Sequence, residues 1–511
     1  MTLVNRRVFQ ELCLLLAAAF AVFWAILRVC VQAITIDEAF TYLHFAAPPL
    51  YVVWEPNSNN HVLNSLLMWI ATHSFGASNI TVRAPALLGA ALYVFVCYFL
   101  CKSITNKFIL RLALFICLIY NPLIFDFMVA ARGYSLADAF LLAAIAVPVW
   151  NRLKGRPSLR TSCAAASVAL GLSFTANFSF AFVDVAAFLV IVTWAIGRRE
   201  GESIARVVAF CVLPGFLVAL LLGGYPVAHW REGDLWWGAH SLREMKLSLT
   251  QASFYQLDPR FRGALWYQVM DFLRPRFLRY LAILCCLQVV VIRLEGSRLG
   301  RLAAALGGIA AFSLAISWLA FHFYNLPLPL GRTGIYLVPL ITLVAGIIAA
   351  APAGSMWLRQ GITAVLICMA CYFLLCLRLT YFREYKFDAD VKDVYSVLAR
   401  LNHNYGVADV GVTGLYVSAL NYYRVLSKRE TFPEFKLEVP EVTPGKSIYV
   451  MNGVLWREFI DREKLMVVYR GNFSDVVVAV KPDYMDAHSH LRSNPTMDTG
   501  KREGAVLGFA S

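Results

Sequence analysis

Leu12-Cys13-Leu14-Leu15-Leu16-Ala17-Ala18-Ala19-Phe20-Ala21-Val22-Phe23-Trp24-Ala25-Ile26-Leu27-Arg28-Val29-Cys30-Val31-Gln32-Ala33-Ile34 runs directly into Thr35-Ile36-Asp37-Glu38-Ala39-Phe40-Thr41-Tyr42, and the reading of this stretch decides the fold. The apolar run matches the roughly 20 residues needed to span a bilayer. It is longer than the roughly 7–15-residue apolar core of a signal peptide, and no small-x-small cleavage site precedes the acidic pair. It therefore reads as a retained transmembrane helix that ends on two adjacent carboxylates. Ionisable groups at a membrane edge are costly and usually serve a pathway or a reaction. The loop that Asp37-Glu38 opens contains no Lys or Arg before Arg83.

The rest of the chain repeats the apolar pattern. Of 511 residues, 59% are hydrophobic and 15% charged, and the apolar residues come in long runs, which excludes a soluble domain. Runs centred near residues 23, 92, 116, 142, 168, 187, 213, 285, 312, 341 and 368 predict about eleven transmembrane helices. Residues 379–511 hold 17 basic and 17 acidic side chains, so the whole net charge of +14 lies in the membrane part. One set of loops is short and basic, including Asn5-Arg6-Arg7, 102–111, 152–160, 198–206 and 293–301. The other set comprises 35–82, 121–134, 174–178, 225–276 and 322–333. By the positive-inside rule the first set is cytoplasmic. The N-terminus is then inside, and Asp37 and the C-terminal region outside. The same rule accounts for the charge without nucleic-acid binding. All twelve cysteines lie in or beside apolar runs, which argues against a disulfide framework or a cysteine zinc site.

Two outer loops are large. In 35–82, His61 to His73 is apolar enough for a helix lying along the interface. In 225–276, Trp230, Trp236, Trp237, Trp266, Tyr225, Tyr255 and Tyr267 suit either interfacial anchoring or stacking on sugar rings. Beyond residue 379, Asp390–Leu401 has helical periodicity. Val407–Val412, Ser447–Met451, Leu465–Tyr469 and Val476–Val480 read as strands. The domain reading is a transmembrane module 1–378 with outer loops 35–82 and 225–276, a small extracytoplasmic α/β domain 379–485, and a disordered tail 486–511. No P-loop and no Gly-x-Gly-x-x-Gly occurs, which argues against a nucleotide-driven pump or a Rossmann-type nucleotide-sugar enzyme.

Polar residues from distant segments gather at the predicted outer face: Asp37, Glu38, Glu55, Asn59-Asn60-His61, Arg83, Asp126, Arg132-Gly133-Tyr134, His322, Asn325 and Arg332. Such a set can activate a hydroxyl and grip a phosphate. A carboxylate takes the proton of an attacking hydroxyl, and guanidinium groups fork onto phosphate oxygens and stabilise the charge on a leaving group.

The order of these motifs resembles the GT-C glycosyltransferases. It begins with Asp37-Glu38 after the first helix, then Asn59-Asn60-His61-Val62-Leu63-Asn64-Ser65-Leu66-Leu67, Phe75-Gly76-Ala77-Ser78 and Arg83-Ala84-Pro85. Ala131-Arg132-Gly133-Tyr134-Ser135-Leu136 and Gly331-Arg332-Thr333-Gly334-Ile335-Tyr336-Leu337-Val338-Pro339 follow. The likeness is closest to bacterial members that use polyprenyl-phosphate sugars, relatives of the protein O-mannosyltransferases and of the lipid A aminoarabinose transferase. It covers roughly residues 1–350. The chain departs from the family at Val62, where proline is common.

The resemblance implies a polytopic α-helical GT-C fold in a bacterial inner membrane. The implied activity is inverting transfer of a hexosyl or pentosyl group to an acceptor hydroxyl of a lipid, glycan or protein on the outer side. Asp37 matches the family's general base and Glu38 its acidic neighbour. Arg132, Arg332 and Tyr134 are assigned to the donor phosphate. Glu55, Asn60, His61, Arg83, Asp126 and His322 are assigned to the substrate cavity. The polyprenyl-phosphate sugar is a co-substrate and no cofactor is required. A divalent metal is compatible but not indicated.

Simpler readings stand beside these. Asp37-Glu38 suits the first turn of a helix, where acids cap and favour the dipole. Arg132 suits interfacial snorkelling, and His61 suits a structural hydrogen bond. Arg28 either snorkels outward or faces the donor phosphate. Asp138 and Asp184, inside predicted helices, suit interhelical pairing. The rival function is a secondary transporter or lipid flippase, which calls for midplane polar sites and internal repeats; no repeat is found.

Overall fold

The computed structural model describes residues 3–482 apart from 155–157, 200, 232, 236, 256–282, 354, 407–408, 428–431 and 438–443. The expectations at Trp236, Trp266, Tyr267 and Val407, and for the tail from 486, lie outside the described residues. The chain divides into two compact units. The first comprises residues 1–30 and 45–379. The second joins Val31–His44 to the described residues from Thr380 onward.

The first unit is helical. Its helices are α1 (Leu3–Val31), α3 (Val62–Phe75), α4 (Asn79–Ile104), α5 (Phe108–Ile119), α6 (Pro122–Phe127), α7 (Tyr134–Lys154), α8 (Leu159–Ala176), α9 (Ala181–Gly197), α10 (Ile204–Ala219), α11 (Tyr225–Ala228), α12 (Leu242–Ser253), α14 (Arg298–Tyr324), α15 (Leu337–Ala350) and α16 (Met356–Leu375), with α13 at Ile283–Leu294. The short α2 (Ile36–Thr41) belongs to the second unit. Every one of the eleven expected centres falls inside a helix.

Among the described residues seven helices, α1, α4, α7, α9, α10, α14 and α16, are long and apolar enough to cross a membrane. Two more, α5 and α15, are apolar but short, and α13 is apolar over its described residues. At 1.5 Å per residue, the twelve and fourteen residues of α5 and α15 reach about 18–21 Å, less than the roughly 30 Å hydrocarbon core. In α8 the apolar run is diluted by serines that face its neighbours. Ser173 Oγ donates to Ala137 O at 3.1 Å, and the N–H of Gly215 donates to Ser167 Oγ at 2.8 Å. A Cβ on Gly171 would collide with the Gly215 carbonyl, so α8 and α10 touch backbone to backbone, the small-residue packing common between membrane helices. Leu16, Phe23, Phe95, Leu213 and Phe216 are exposed on the outer faces of these helices, as lipid contact requires. Asp138 and Asp184 are buried in α7 and α9.

In the second unit four strands, β1 (Val410–Val412), β2 (Ile448–Asn452), β3 (Met466–Arg470) and β4 (Val476–Val480), form one sheet in the order β1-β2-β4-β3. β1 runs parallel to β2, while β2 and β3 are antiparallel to β4. The four strands expected from sequence are these, with ends shifted by a few residues. α17 (Val391–Tyr405), α18 (Gly414–Leu426) and α19 (Arg457–Arg462) complete the unit. Val391, Val394, Val397, Leu398 and Leu401 are buried along one stripe of α17. Tyr449, Met451, Phe459, Leu465, Val477 and Ala479 form a core between the sheet and α19.

Candidate active site

The residues singled out by sequence fall in both units. In the second unit the acidic pair lies in the first turn of α2. The Thr35 hydroxyl accepts the N–H of Glu38 at 3.2 Å, and the Thr35 N–H donates to Glu38 Oε2 at 3.0 Å. This is a reciprocal capping box, so Glu38, fully buried, closes the start of the helix. Two further N–H groups of this turn are satisfied from later in the chain. Ile34 donates to the Tyr423 hydroxyl at 2.9 Å and Ile36 to Asp388 Oδ2 at 2.8 Å.

Asp37 is only partly buried. Its Oδ2 accepts the Tyr385 hydroxyl at 2.7 Å, which fixes the plane of the carboxylate. Asp388 completes a group of three carboxyls. Burial pushes its carboxyl well above the ordinary range, the Ile36 N–H opposes that, and the charges of Asp37 and Glu38 raise it further. Asp388 therefore keeps its proton where an exposed aspartate has lost it.

In the first unit the basic residues are built into the helix ends. Arg132 sits between α6 and α7, 2% exposed. Gly133 follows it with φ +75°, and a Cβ there would collide with the carbonyl oxygen of Ala176. The Arg132 guanidinium donates to Asn59 Oδ1 and, at 3.3 Å, to the Asn59 carbonyl. Its own carbonyl accepts the Asn177 amide at 3.0 Å, and the Ala131 carbonyl accepts Asn64 Nδ2 at 3.0 Å. The backbone carrying Arg132 is thus pinned from α3 and from the turn after α8.

His61, just before α3, is buried and accepts from Asn177 Nδ2 at 3.5 Å. Tyr134 packs edge-on against it, with ring centroids 6.0 Å apart. Burial lowers the His61 pKa well below the usual histidine range, and the guanidinium charges of Arg132 and Arg332 lower it further. His61 is therefore a neutral imidazole, and both arginines come close enough to bias it. Arg332 lies in a 3-10 turn, Gly331–Gly334, with its guanidinium 5.4 Å from the Trp237 ring centroid.

Arg28 Nη2 pairs with Asp126 Oδ1 at 2.5 Å, and Nη1 donates to the Phe125 carbonyl at 2.9 Å. The Arg28 side chain is 1% exposed, which argues against outward snorkelling. Arg83, fully buried in α4, donates to the Val29 carbonyl near the end of α1 at 3.3 Å. Asn60 staples the loop: Nδ2 donates to the Val53 and Glu55 carbonyls at 2.9 and 3.0 Å, and Oδ1 accepts Ser65 at 2.9 Å. Glu55 and His322 are exposed, the latter stacked on Trp318. Trp230 packs edge-on against Phe178 at 5.2 Å, within a cluster that includes Val53 and Val62. Among the described residues no three His, Cys, Asp or Glu side chains gather as a metal-ligand set.

Three positions not singled out by sequence enter here. Asn177 had a faint signal as a polar residue between two apolar runs. Tyr385 and Asp388 had none, because their partners lie about 350 residues earlier in the chain.

No family model and no curated protein matches the sequence. Among solved structures, the chain is similar to the crystal structure of ArnT from Cupriavidus metallidurans bound to undecaprenyl phosphate. The TM-score is 0.51 at 12% identity, covering 92% of this chain and 97% of that one. The apo state of the same protein gives 0.49 at 12% identity, covering 93% and 98%. Arabinosyltransferase EmbB from Mycobacterium smegmatis gives 0.33 at 13%, covering 74% of this chain and 42% of that one. The first likeness is one of fold. Together with the seven spanning helices, it makes this chain a polytopic membrane protein with the GT-C fold that the motifs imply.

Proposed function

We propose that the protein is an integral-membrane glycosyltransferase that moves a sugar from a polyprenyl-phosphate donor to an acceptor hydroxyl with inversion. The observation that carries this reading is the approach of Arg132 and Arg332 to one buried, neutral histidine, from segments 200 residues apart in sequence. Two guanidinium groups brought near one neutral imidazole favour an anionic ligand. ArnT, the fold neighbour, was crystallised with undecaprenyl phosphate, a ligand of that charge.

In this mechanism Arg132 and Arg332 hold the donor phosphate, with Tyr134 bracing His61 beside them. Asp37 takes the proton of the acceptor hydroxyl. The oxygen attacks the anomeric carbon opposite the phosphate, the bond from that carbon to the phosphate oxygen breaks, and polyprenyl phosphate leaves with the electron pair. Asp37 then releases the proton to water. Glu38 holds the α2 turn that presents Asp37. By the same reading the protein resides in a bacterial inner membrane with the N-terminus cytoplasmic and residues 379–485 outside. The acceptor class spans lipid, glycan and protein hydroxyls.

The test is incubation of purified protein with radiolabelled polyprenyl-phosphate hexoses and pentoses. Label on an acceptor, with release of polyprenyl phosphate, supports the proposal. D37N should bind donor yet transfer sugar about 10²–10⁴-fold more slowly. Donor crossing the membrane uncleaved, or full transfer by D37N, overturns it.

A further inference from the structure

The start of α1, the α4–α5 turn and the facing ends of α15 and α16 border a groove of about 1100 Å3. Arg6 stands 22 residues before Arg28 on α1, about 33 Å at 1.5 Å per residue. The groove and the Arg28–Asp126 pair therefore occupy opposite ends of that helix.

One component of the groove is apolar. Phe9, Ile109 and Met356 line it and are 51%, 64% and 53% exposed. The other component is charge of a single sign: Arg6, Arg7, Lys107 and Arg359 line the groove, and among the described residues no acidic one does. Glu11, on the same helix as Arg6, is engaged elsewhere, accepting from Tyr98 at 2.6 Å and Lys102 at 3.1 Å. Arg359 is held in place by the Ala351 and Pro352 carbonyls at 2.9 and 2.6 Å. Its buried Nε has no partner among the described residues.

Positive-inside bias explains the sign of loop charges at this end of the helices. It does not explain their convergence on an apolar groove. The volume exceeds the roughly 300–1,000 Å3 typical of small-ligand pockets, and basic pockets between membrane helices suit lipid phosphates.

We propose that this groove binds an anionic glycerophospholipid of the adjacent leaflet, and that the lipid is cardiolipin. Its two phosphates answer four cations set around one groove, and its acyl chains cover Phe9, Ile109 and Met356. The lipid would brace α1 against α5 and α16.

The test is native mass spectrometry of the full chain in detergent, titrated with cardiolipin, phosphatidylcholine or polyprenyl phosphate. Retention of cardiolipin over phosphatidylcholine is expected. K107Q/R359Q should lower cardiolipin occupancy at least tenfold. R6Q/R7Q, which leaves the Arg359 backbone bonds intact, should do the same, and R132Q should keep wild-type cardiolipin binding. Equal retention of phosphatidylcholine, unchanged occupancy in both basic variants, or displacement of cardiolipin by equimolar polyprenyl phosphate overturns the proposal.

Discussion

The Tyr385 hydroxyl donates to Asp37 Oδ2 at 2.7 Å across 348 residues of sequence. A carboxylate that must take a proton at a defined moment gains from being held in one orientation, and this bond does that. Removing the hydroxyl leaves Asp37 ionisable but without this restraint on its orientation. We expect Y385F to lower kcat roughly tenfold, the value of one hydrogen bond to a charged group, with donor KM unchanged. D37N, which removes the base itself, should lose about 10²–10⁴-fold. Steady-state transfer assays on both variants decide this, and a Y385F rate equal to wild type removes Tyr385 from the machinery.

Glu38 and Asp37 are adjacent in sequence but differ in what they touch. Glu38 closes a capping box with Thr35, a role that glutamine fills as well. E38Q should therefore keep its melting temperature and its transfer rate. T35A should destabilise the protein by about 1 kcal/mol, visible as a lower melting temperature in detergent. An E38Q protein that folds but is as inactive as D37N would return Glu38 to the chemistry.

The contrast between these two acids shows what the sequence made legible. The apolar runs placed all eleven expected centres inside helices, because a bilayer imposes a length and a composition on each span. They did not give the lengths of α5 and α15, where a turn cuts the helix short of a full crossing. Short continuous apolar runs, Ile448–Met451 and Val476–Val480, marked β2 and β4 for an equally local reason. What stayed hidden is non-local. Nothing near Val31–His44 says that it packs with residues beyond 380, and nothing near Asp126 says that its partner is Arg28. Asn60 looked like a cavity residue beside His61, yet its amide is consumed by the Val53 and Glu55 carbonyls.

Gly133 offers a direct test of how Arg132 is positioned. Its φ of +75° lies in the left-handed region, and the Ala176 carbonyl fills the space a side chain would need. Alanine there incurs about 1–2 kcal/mol of backbone strain and a steric conflict besides. G133A should melt several degrees lower and bind polyprenyl phosphate more weakly, because the shift displaces Arg132 and the Asn177 bond to its carbonyl. The same affinity as wild type in a G133A protein that remains folded argues against a donor role for Arg132.

Arg28 and Asp126 form a buried pair, with side chains 1% and 8% exposed. Removing one member of a buried ion pair costs about 3–5 kcal/mol, whereas removing both is often close to neutral. D126A should therefore be much less stable than R28M/D126A. Thermal unfolding of the two single variants and the double variant measures the coupling, and additive losses mean the pair is not a unit.

His61 and Asp388 give the two units opposite responses to pH. In the folded protein the His61 pKa is depressed by burial and by two arginines. Below the unfolded value of about 6.5 the unfolded chain binds a proton that the native state refuses. Stability from this site is full above about pH 6.5 and falls as pH drops below it, by up to about 1.4 kcal/mol per unit. Asp388 has its pKa raised by burial and by Asp37 and Glu38. There the native state keeps a proton that the unfolded chain loses above about pH 3.9. Stability from that site is full below this value and declines as pH rises toward the folded pKa. Melting temperatures from pH 4 to 8 should show H61Q flattening the loss on the acid side. D388N, whose amide oxygen can still accept the Ile36 N–H, should raise stability at neutral pH. A wild-type profile that both substitutions leave unchanged means neither group carries the linkage.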